Sequence, residues 1–384
     1  MRYLLFLEIS MFVPVSRPLL GAKEREYVND AITAGDISGL SGKYLGEFES
    51  SFAKFCDTKY AALINSGTTA IHVAVAALGI GPGDEVLVQS FTNMATFFAV
   101  LYQGAKPIPI DSEPDTLNID PSLLEKKITK RTKAIIVVHL YGHPVDMDPV
   151  MKIARKYKLK VIEDAAEAHG ALYKGKKVGS IGDIGCFSFY ANKIVTTGEG
   201  GGVTTDDKKL IERVRLLKNL AFGKKEKFMH EAVGLKYQMT NLQAAVGAAQ
   251  MTHIDEILEK KRAMASYYLE HLAGIPDIVL PVEKPYAKNV YWMFNLVLRS
   301  TLSGKRLRFM KELRDRGVDT REDFVPFNQQ KIFLKQKLTK KLDCPVINKI
   351  YNDAFYIPSG TDISIEEQAY VVQHIREVAD KLRR

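Results

Sequence analysis

Residues 133–165 read KAIIVVHLYGHPVDMDPVMKIARKYKLKVIEDA. The stretch opens on an apolar run, KAIIVVHL, and closes on a second, KVIEDA; neither alternates cleanly between apolar and polar positions. Such runs suit strands covered on both faces, whereas a half-exposed strand would show a period of two. Between them DPVMKIARKYK carries the spacing of an amphipathic helix. Strand, helix, strand in that order is the unit of a parallel sheet with helices packed on its faces. Outward from this stretch the pattern repeats, from about Phe52 to Asp206. Further strands are expected at Glu85–Ser90, Lys106–Asp111 and Cys186–Tyr190, and the helical pattern TAIHVAVAALG is closed by Gly79.

Beyond Asp206 the pattern changes. NLQAAVGAAQMTHIDEILEKKRAMASYYLEHL, from Asn241 to Leu272, predicts one long helix interrupted only by Gly247. Its first half is small and apolar and its second half charged and amphipathic, as expected of a helix running from one core to another. A strand in VYWMFNLVLR and several amphipathic helices follow, which predicts a smaller α+β domain. At 384 residues the chain exceeds what one core usually serves. The expected division is a large α/β domain at 1–255, with the N-terminal segment, and a small α+β domain at 256–384.

Composition narrows the function classes. The opening MRYLLFLEIS is apolar but short, carries Glu8, and has no small-residue cleavage site. It reads as an extension or an early strand and not as a leader or a membrane span, so a cytoplasmic protein is expected. Cys56, Cys186 and Cys344 are far apart and odd in number, which suits a reducing compartment and offers no metal pair. The formal charge of +9 is spread over helical stretches such as KKLIERVRLLK and IREVADKLRR. Spread in this way it reads as solvated helix faces, with no nucleic-acid or membrane partner, though a positive field would help gather an anionic substrate.

Four features fall where the parallel strands end, the place where open α/β sheets bind ligands. NSGTTA, Asn65 to Ala70, precedes a helix; Gly67 permits close backbone approach, and the amides of Thr68 and Thr69 could hold a phosphate. Taken alone it reads first as a helix cap by Ser66 or Thr68. EDAAEAHG places a carboxylate, Asp164, where it could hold a protonated pyridine nitrogen. The rival readings there are a helix cap or a metal set of Glu163, Glu167, His169 and His139 or His143, but no metal-site spacing is present. SFYANK carries Lys193 just past a strand, where a buried amine could lose its proton and form an imine, with Ser188 five positions earlier. TTGEGGGV follows, a glycine-rich turn expected to pass close to a bound ring; unlike a dinucleotide fingerprint, it leads into a strand-like VTT from Val203 and not into a helix. YQMTNLQAA places Asn241 at the start of the long helix, also as an N-cap. Phosphate loop, then ring aspartate, then lysine is the order a pyridoxal phosphate domain needs, with 29 positions between Asp164 and Lys193.

On VHLYGHPVDMDP, EDAAEAHGALYKGKKVGSIGD, NKIVTTGEGGGVTT and YQMTNLQAAVGAAQ, the chain resembles the DegT/DnrJ/EryC1/StrS sugar aminotransferases. The resemblance runs from FVPVSRPLLGAKEREYV to the C-terminal helix. It implies the aspartate aminotransferase-like fold type I of pyridoxal 5'-phosphate enzymes, and a homodimer with shared active sites. It implies that Lys193 holds the cofactor as a Schiff base and shuttles protons, that Asp164 pairs with the pyridine nitrogen, and that Glu167 faces the phenolic oxygen. Gly67, Thr68 and Ser188 would bind the phosphate, with Asn241 reaching over from a second subunit. Arg321 and Asn328 would approach the substrate. The implied reaction moves an amino group from L-glutamate to a nucleotide-diphosphate keto-sugar. GDP-4-keto-6-deoxymannose is expected first, and a UDP- or dTDP-linked 3- or 4-keto sugar is the alternative. Lysine at 193, where sugar-dehydrating relatives carry histidine, favours amination. Two positions depart from the commoner pattern: Asn93 stands where an aromatic ring usually covers the cofactor, and Glu167 where many relatives carry glutamine. A desulfurase or aldolase on the same scaffold, or a binding protein with a vestigial site, are the remaining readings; a desulfurase would need a mobile cysteine, with Cys344 the one remote candidate.

Overall fold

A computed structural model describes residues 11–384 except 224, 227 and 231. The reading of residues 1–10 as an extension or early strand lies outside the described residues. Helices α1 (Ala22–Thr33) and α2 (Lys43–Phe55) lead into β1 (Tyr60–Ile64), α3 (Gly67–Ala77), β2 (Glu85–Gln89), α4 (Ala95–Tyr102) and β3 (Lys106–Ile110). The next elements are β4 (Thr132–Val138), α5 (Met147–Tyr157) and β5 (Lys160–Asp164), then the short β6 (Leu172–Tyr173) and β7 (Lys176–Lys177). Last in this part come β8 (Ile184–Ser188), β9 (Gly201–Thr205) and α6 (Lys208–Leu217). The main sheet runs β1-β9-β8-β5-β4-β2-β3. All its pairings are parallel except the two made by β9, which is antiparallel to both β1 and β8.

The apolar runs of the sequence become fully buried strands because helices cover both sides. On β8, Cys186 faces the core beneath α3, while Phe187 faces the opposite one with Phe48, Phe52 and Phe189. The expected strands appear within two residues of their bounds, and β1 and the start of β9 add to them.

The expected single helix from Asn241 to Leu272 is two: α7 (Asn241–Met251) and α8 (Ile254–Leu272). Its break lies at Thr252 and His253, not at Gly247. Thr252 Oγ1 turns back on the Ala249 carbonyl at 2.7 Å, and His253 leaves helical geometry with its imidazole 3.3 Å from Glu24 on α1. Gly247 stays helical; a Cβ there would come within 2.2 Å of the Phe48 ring, so its smallness serves packing.

The second sheet, β10-β12-β14-β13, is built of β10 (Ile278–Val279), β12 (Phe294–Leu298), β13 (Arg321–Glu322) and β14 (Ala354–Ile357), with β11 (Ala287–Lys288) pairing instead with β6. Helices α9 (Arg306–Arg314) and α12 (Ile365–Arg383) pack on it with α8. The chain between them returns to the first sheet. Phe327 stacks on Phe97 at 4.0 Å, α10 (Lys331–Lys335) follows, and the start of α11 (Pro345–Asn348) is held by Asp111. Val13 in turn bridges to Val318. No helix among the described residues is long and apolar enough to cross a membrane.

Candidate active site

The carboxyl ends of β1, β2, β5 and β8 open on one cavity of about 270 Å³. Gly67, Thr68, Asn93, Asp164, Glu167, Ser188 and Lys193 all line it. These seven positions are spread over more than a hundred residues of sequence, and the parallel crossovers bring them to one rim.

At the first strand end, Ser66 caps α3 by accepting from the Thr69 amide at 3.2 Å. The sequence suggested Thr68 and Thr69 as the open amides; the cap takes that of Thr69, leaving those of Gly67 and Thr68 at the helix N-terminus. Gly67 passes so near Ser188 that an added Cβ would come within 2.7 Å of the serine Cβ. Of the glycine-rich stretch after Lys193, Glu199 lines the cavity, while its later glycines serve the sheet. Gly201 and Gly202 are already strand β9, and a Cβ on Gly201 would sit 2.3 Å from the Ser66 carbonyl. Their role is to let β9 slide beneath the Ser66–Gly67 loop.

Asp164 is buried at the end of β5, with Thr96 Oγ1 donating to one oxygen at 2.7 Å and the Ala166 amide to the other at 3.2 Å. Burial raises its pKa, outweighing those bonds and the pull of Lys193 and His139. A cationic ring nitrogen beside it would favour its charged form. Glu167 accepts from the Tyr141 amide at 2.8 Å, and burial pushes it up to about 8, opposed by Lys193. Lys193 has its pKa lowered, first by burial, with Glu167 and Asp164 opposing. Its Nζ is 4.0 Å from Glu167 Oε1. A buried amine eased toward its neutral form is the kind that can attack a carbonyl. Donor amides, a buried acid and a buried lysine along one cavity fit pyridoxal phosphate.

Other expected groups are placed elsewhere. Asn241 is fully buried; its Oδ1 accepts from the Tyr44 and Leu45 amides and its Nδ2 donates to the Asp36 carbonyl. Within this chain it organises the 36–45 loop. Asn328 is buried against Ser90, Lys341 and Asn348, and Arg321 is exposed on β13, paired with Tyr356. Asn93, which does line the cavity, accepts through its Oδ1 from the Ala95 amide at the start of α4. Glu163 accepts from His139 and from the Gly179, Ile181 and Gly182 amides, which spends it on anchoring that turn. Cys344 is buried with its thiol pushed up to about 12 by burial, which suits a core residue and not a mobile nucleophile.

Sequence reasoning missed Thr96, Trp292, Phe324 and Tyr356, all in the cavity wall. The last three come from the C-terminal part of the chain, and no local pattern marks them. Only the rarity of Trp292, the sole tryptophan, could have drawn attention.

The chain matches the DegT/DnrJ/EryC1/StrS aminotransferase family over residues 18–376. It is 44% identical to a GDP-perosamine synthase of Caulobacter vibrioides over 82% of this chain and 85% of that one. Its fold superposes on DesV of S. venezuelae, in complex with a ketimine intermediate, with a TM-score of 0.87 and 35% identity, over 94% and 95% of the two chains. The PLP-form of Spr1654 from Streptococcus pneumoniae gives a TM-score of 0.91 at 25% identity, over 97% and 99%.

Proposed function

The chain belongs to the DegT/DnrJ/EryC1/StrS aminotransferase family, and from that premise we propose that it moves an amino group from L-glutamate to GDP-4-keto-6-deoxy-D-mannose, yielding GDP-perosamine. It is a pyridoxal phosphate-dependent transaminase of the nucleotide-sugar type. The 44% identity to a GDP-perosamine synthase supports GDP over UDP or dTDP as the nucleotide. The observation that carries the site is the convergence of Lys193, Asp164 and the Gly67 loop on one cavity.

When bound, the cofactor supplies an electron sink that makes a carbon-bound hydrogen acidic. The chain's own residues then divide the work. The Gly67 and Thr68 amides and the Ser188 hydroxyl hold the phosphate. Asp164, fixed by Thr96, holds the ring nitrogen's proton in place. Glu167, kept protonated near neutral pH, can donate a hydrogen bond to an anionic oxygen where a carboxylate would repel it. Lys193 Nζ anchors the cofactor and carries protons between it and the substrate carbon. Arg321, exposed beside Tyr356 at the cavity wall, is suited to the diphosphate.

A homodimer with shared sites is part of this reading. Exposed Ile37 and Leu40 support it, since they stand on the loop that Asn241 organises and offer apolar surface for a second copy. Adding glutamate to the purified, coloured protein should bleach the cofactor absorbance, and a band that persists would sink the assignment. Lys193→Ala should abolish steady-state turnover. A panel of GDP-, UDP- and dTDP-linked keto-sugars, scored for amine product, decides the nucleotide.

A further inference from the structure

Lys193 does not stand free in the cavity. Its Nζ lies 3.5 Å above the centroid of the Trp292 ring, closer than the nearest Glu167 oxygen at 4.0 Å. The ring quadrupole attracts an ammonium on the indole face, most strongly where water is excluded. That residue is fixed at two points, one on its ring and one on its backbone. Its Nε1 donates to the Asn192 carbonyl at 2.8 Å, and the Trp292 carbonyl accepts from Lys261 Nζ at 3.0 Å. Lys261 is itself buried; its second partner is the Ser359 carbonyl, no carboxylate among the described residues pairs with it, and burial lowers its pKa to about 7. A buried lysine spent on two carbonyls is costly. What it secures is the segment that delivers Trp292 to the cavity.

We propose that the face of Trp292 is a resting surface for Lys193, one that favours its ammonium form against burial when it is not bonded to the cofactor, and that Lys261 is the positioning residue that keeps the indole there. The proposal rests on Lys193 being the cofactor lysine. The titratable groups facing Lys193 are Glu167, Asp164 and His169. Asp164 and the indole favour the charged amine, Glu167 does so where it is ionised, and burial opposes it. Deleting the indole removes one support, so more of the amine is neutral at a given pH.

The test uses apoprotein and follows the rate of covalent capture of added pyridoxal phosphate against pH, which reads the neutral fraction of Lys193. For Trp292→Leu the rate on the rising limb should be roughly three- to thirty-fold higher than wild type, and for Trp292→Phe, which keeps a weaker face, the rise should be smaller. Profiles unchanged in both variants overturn the proposal. If the leucine variant does not fold, the phenylalanine variant carries the same comparison. Lys261→Met should shift the emission of the sole tryptophan, since the indole loses its anchor. An unshifted spectrum rejects the positioning role. Lys193→Ala separates the two ideas: cofactor still fixed by borohydride in that variant refutes the lysine assignment itself, whatever the tryptophan variants do.

Discussion

Glu167 is a carboxylate that its surroundings turn into an acid. Burial raises it to about 8, against an ordinary value near 4.5. Because the folded value lies above the unfolded one, protonation favours the fold. That contribution is complete below about pH 4.5 and is lost as pH rises to about 8. The loss amounts to about 1.4 kcal/mol for each pH unit crossed between the two values. Glu167→Gln, which cannot ionise, should therefore gain stability relative to wild-type apoprotein between pH 5 and 8 and hold a constant margin above pH 8. Urea melts at pH 5, 7 and 9 read this directly, and a margin independent of pH would contradict it. At this scale the sequence pointed to Lys193 and Asp164, because Asp164 ends β5 and Lys193 lies five positions past the end of β8, strands whose apolar runs are easy to read. It was silent on Thr96, whose bond to Asp164 spans 68 positions, and on Trp292, which approaches Lys193 only through tertiary packing. It also attached a reaching role to Asn241, whose amide is taken up by the 36–45 loop of its own chain.

β9 is the element on which the phosphate loop depends. It runs against its neighbours, and its first residue lies under the Ser66 carbonyl with no room for a side chain. Gly201→Ala would push the Ser66–Gly67 loop outward without touching the ring or the lysine. The expected result is a protein that folds, loses about 1–3 kcal/mol of stability by overpacking, and binds pyridoxal phosphate at least tenfold more weakly. Equilibrium dialysis would check it; wild-type affinity would show the contact is slack. Ser66→Ala, by contrast, should cost about 1 kcal/mol in stability through the lost cap, measured by thermal melting. The parallel strands were legible because full burial leaves continuous apolar runs. β9 was read only from Val203 onward, since two glycines look like a turn unless the neighbour they admit is known. The break between α7 and α8 was hidden for the same reason: it answers to Glu24, more than two hundred residues away.

Over the whole molecule, the C-terminal part closes the site that the N-terminal part opens. Trp292, Phe324 and Tyr356 complete the cavity wall, and Arg321 stands beside Tyr356. If Arg321 meets the diphosphate, Arg321→Ala should raise the KM for the nucleotide sugar about tenfold or more while leaving the glutamate-driven bleaching rate unchanged. Equal losses in both half-reactions would place Arg321 elsewhere. The alternation of strands and helices made the large sheet legible, but the return of residues 327–351 to that sheet was not, because contacts such as Phe327 on Phe97 follow no periodicity. The bridge from Val13 to Val318 extends the same closure to the other end of the chain. During synthesis it sets an order of events. A nascent chain that has left the ribosome only as far as Met251 already holds Gly67, Asp164 and Lys193, yet it lacks the indole, the outer wall and the partner of Val13. Domains fold as their residues emerge, so the cavity wall is completed only in the last third of translation, and Lys193 spends that interval without its cover.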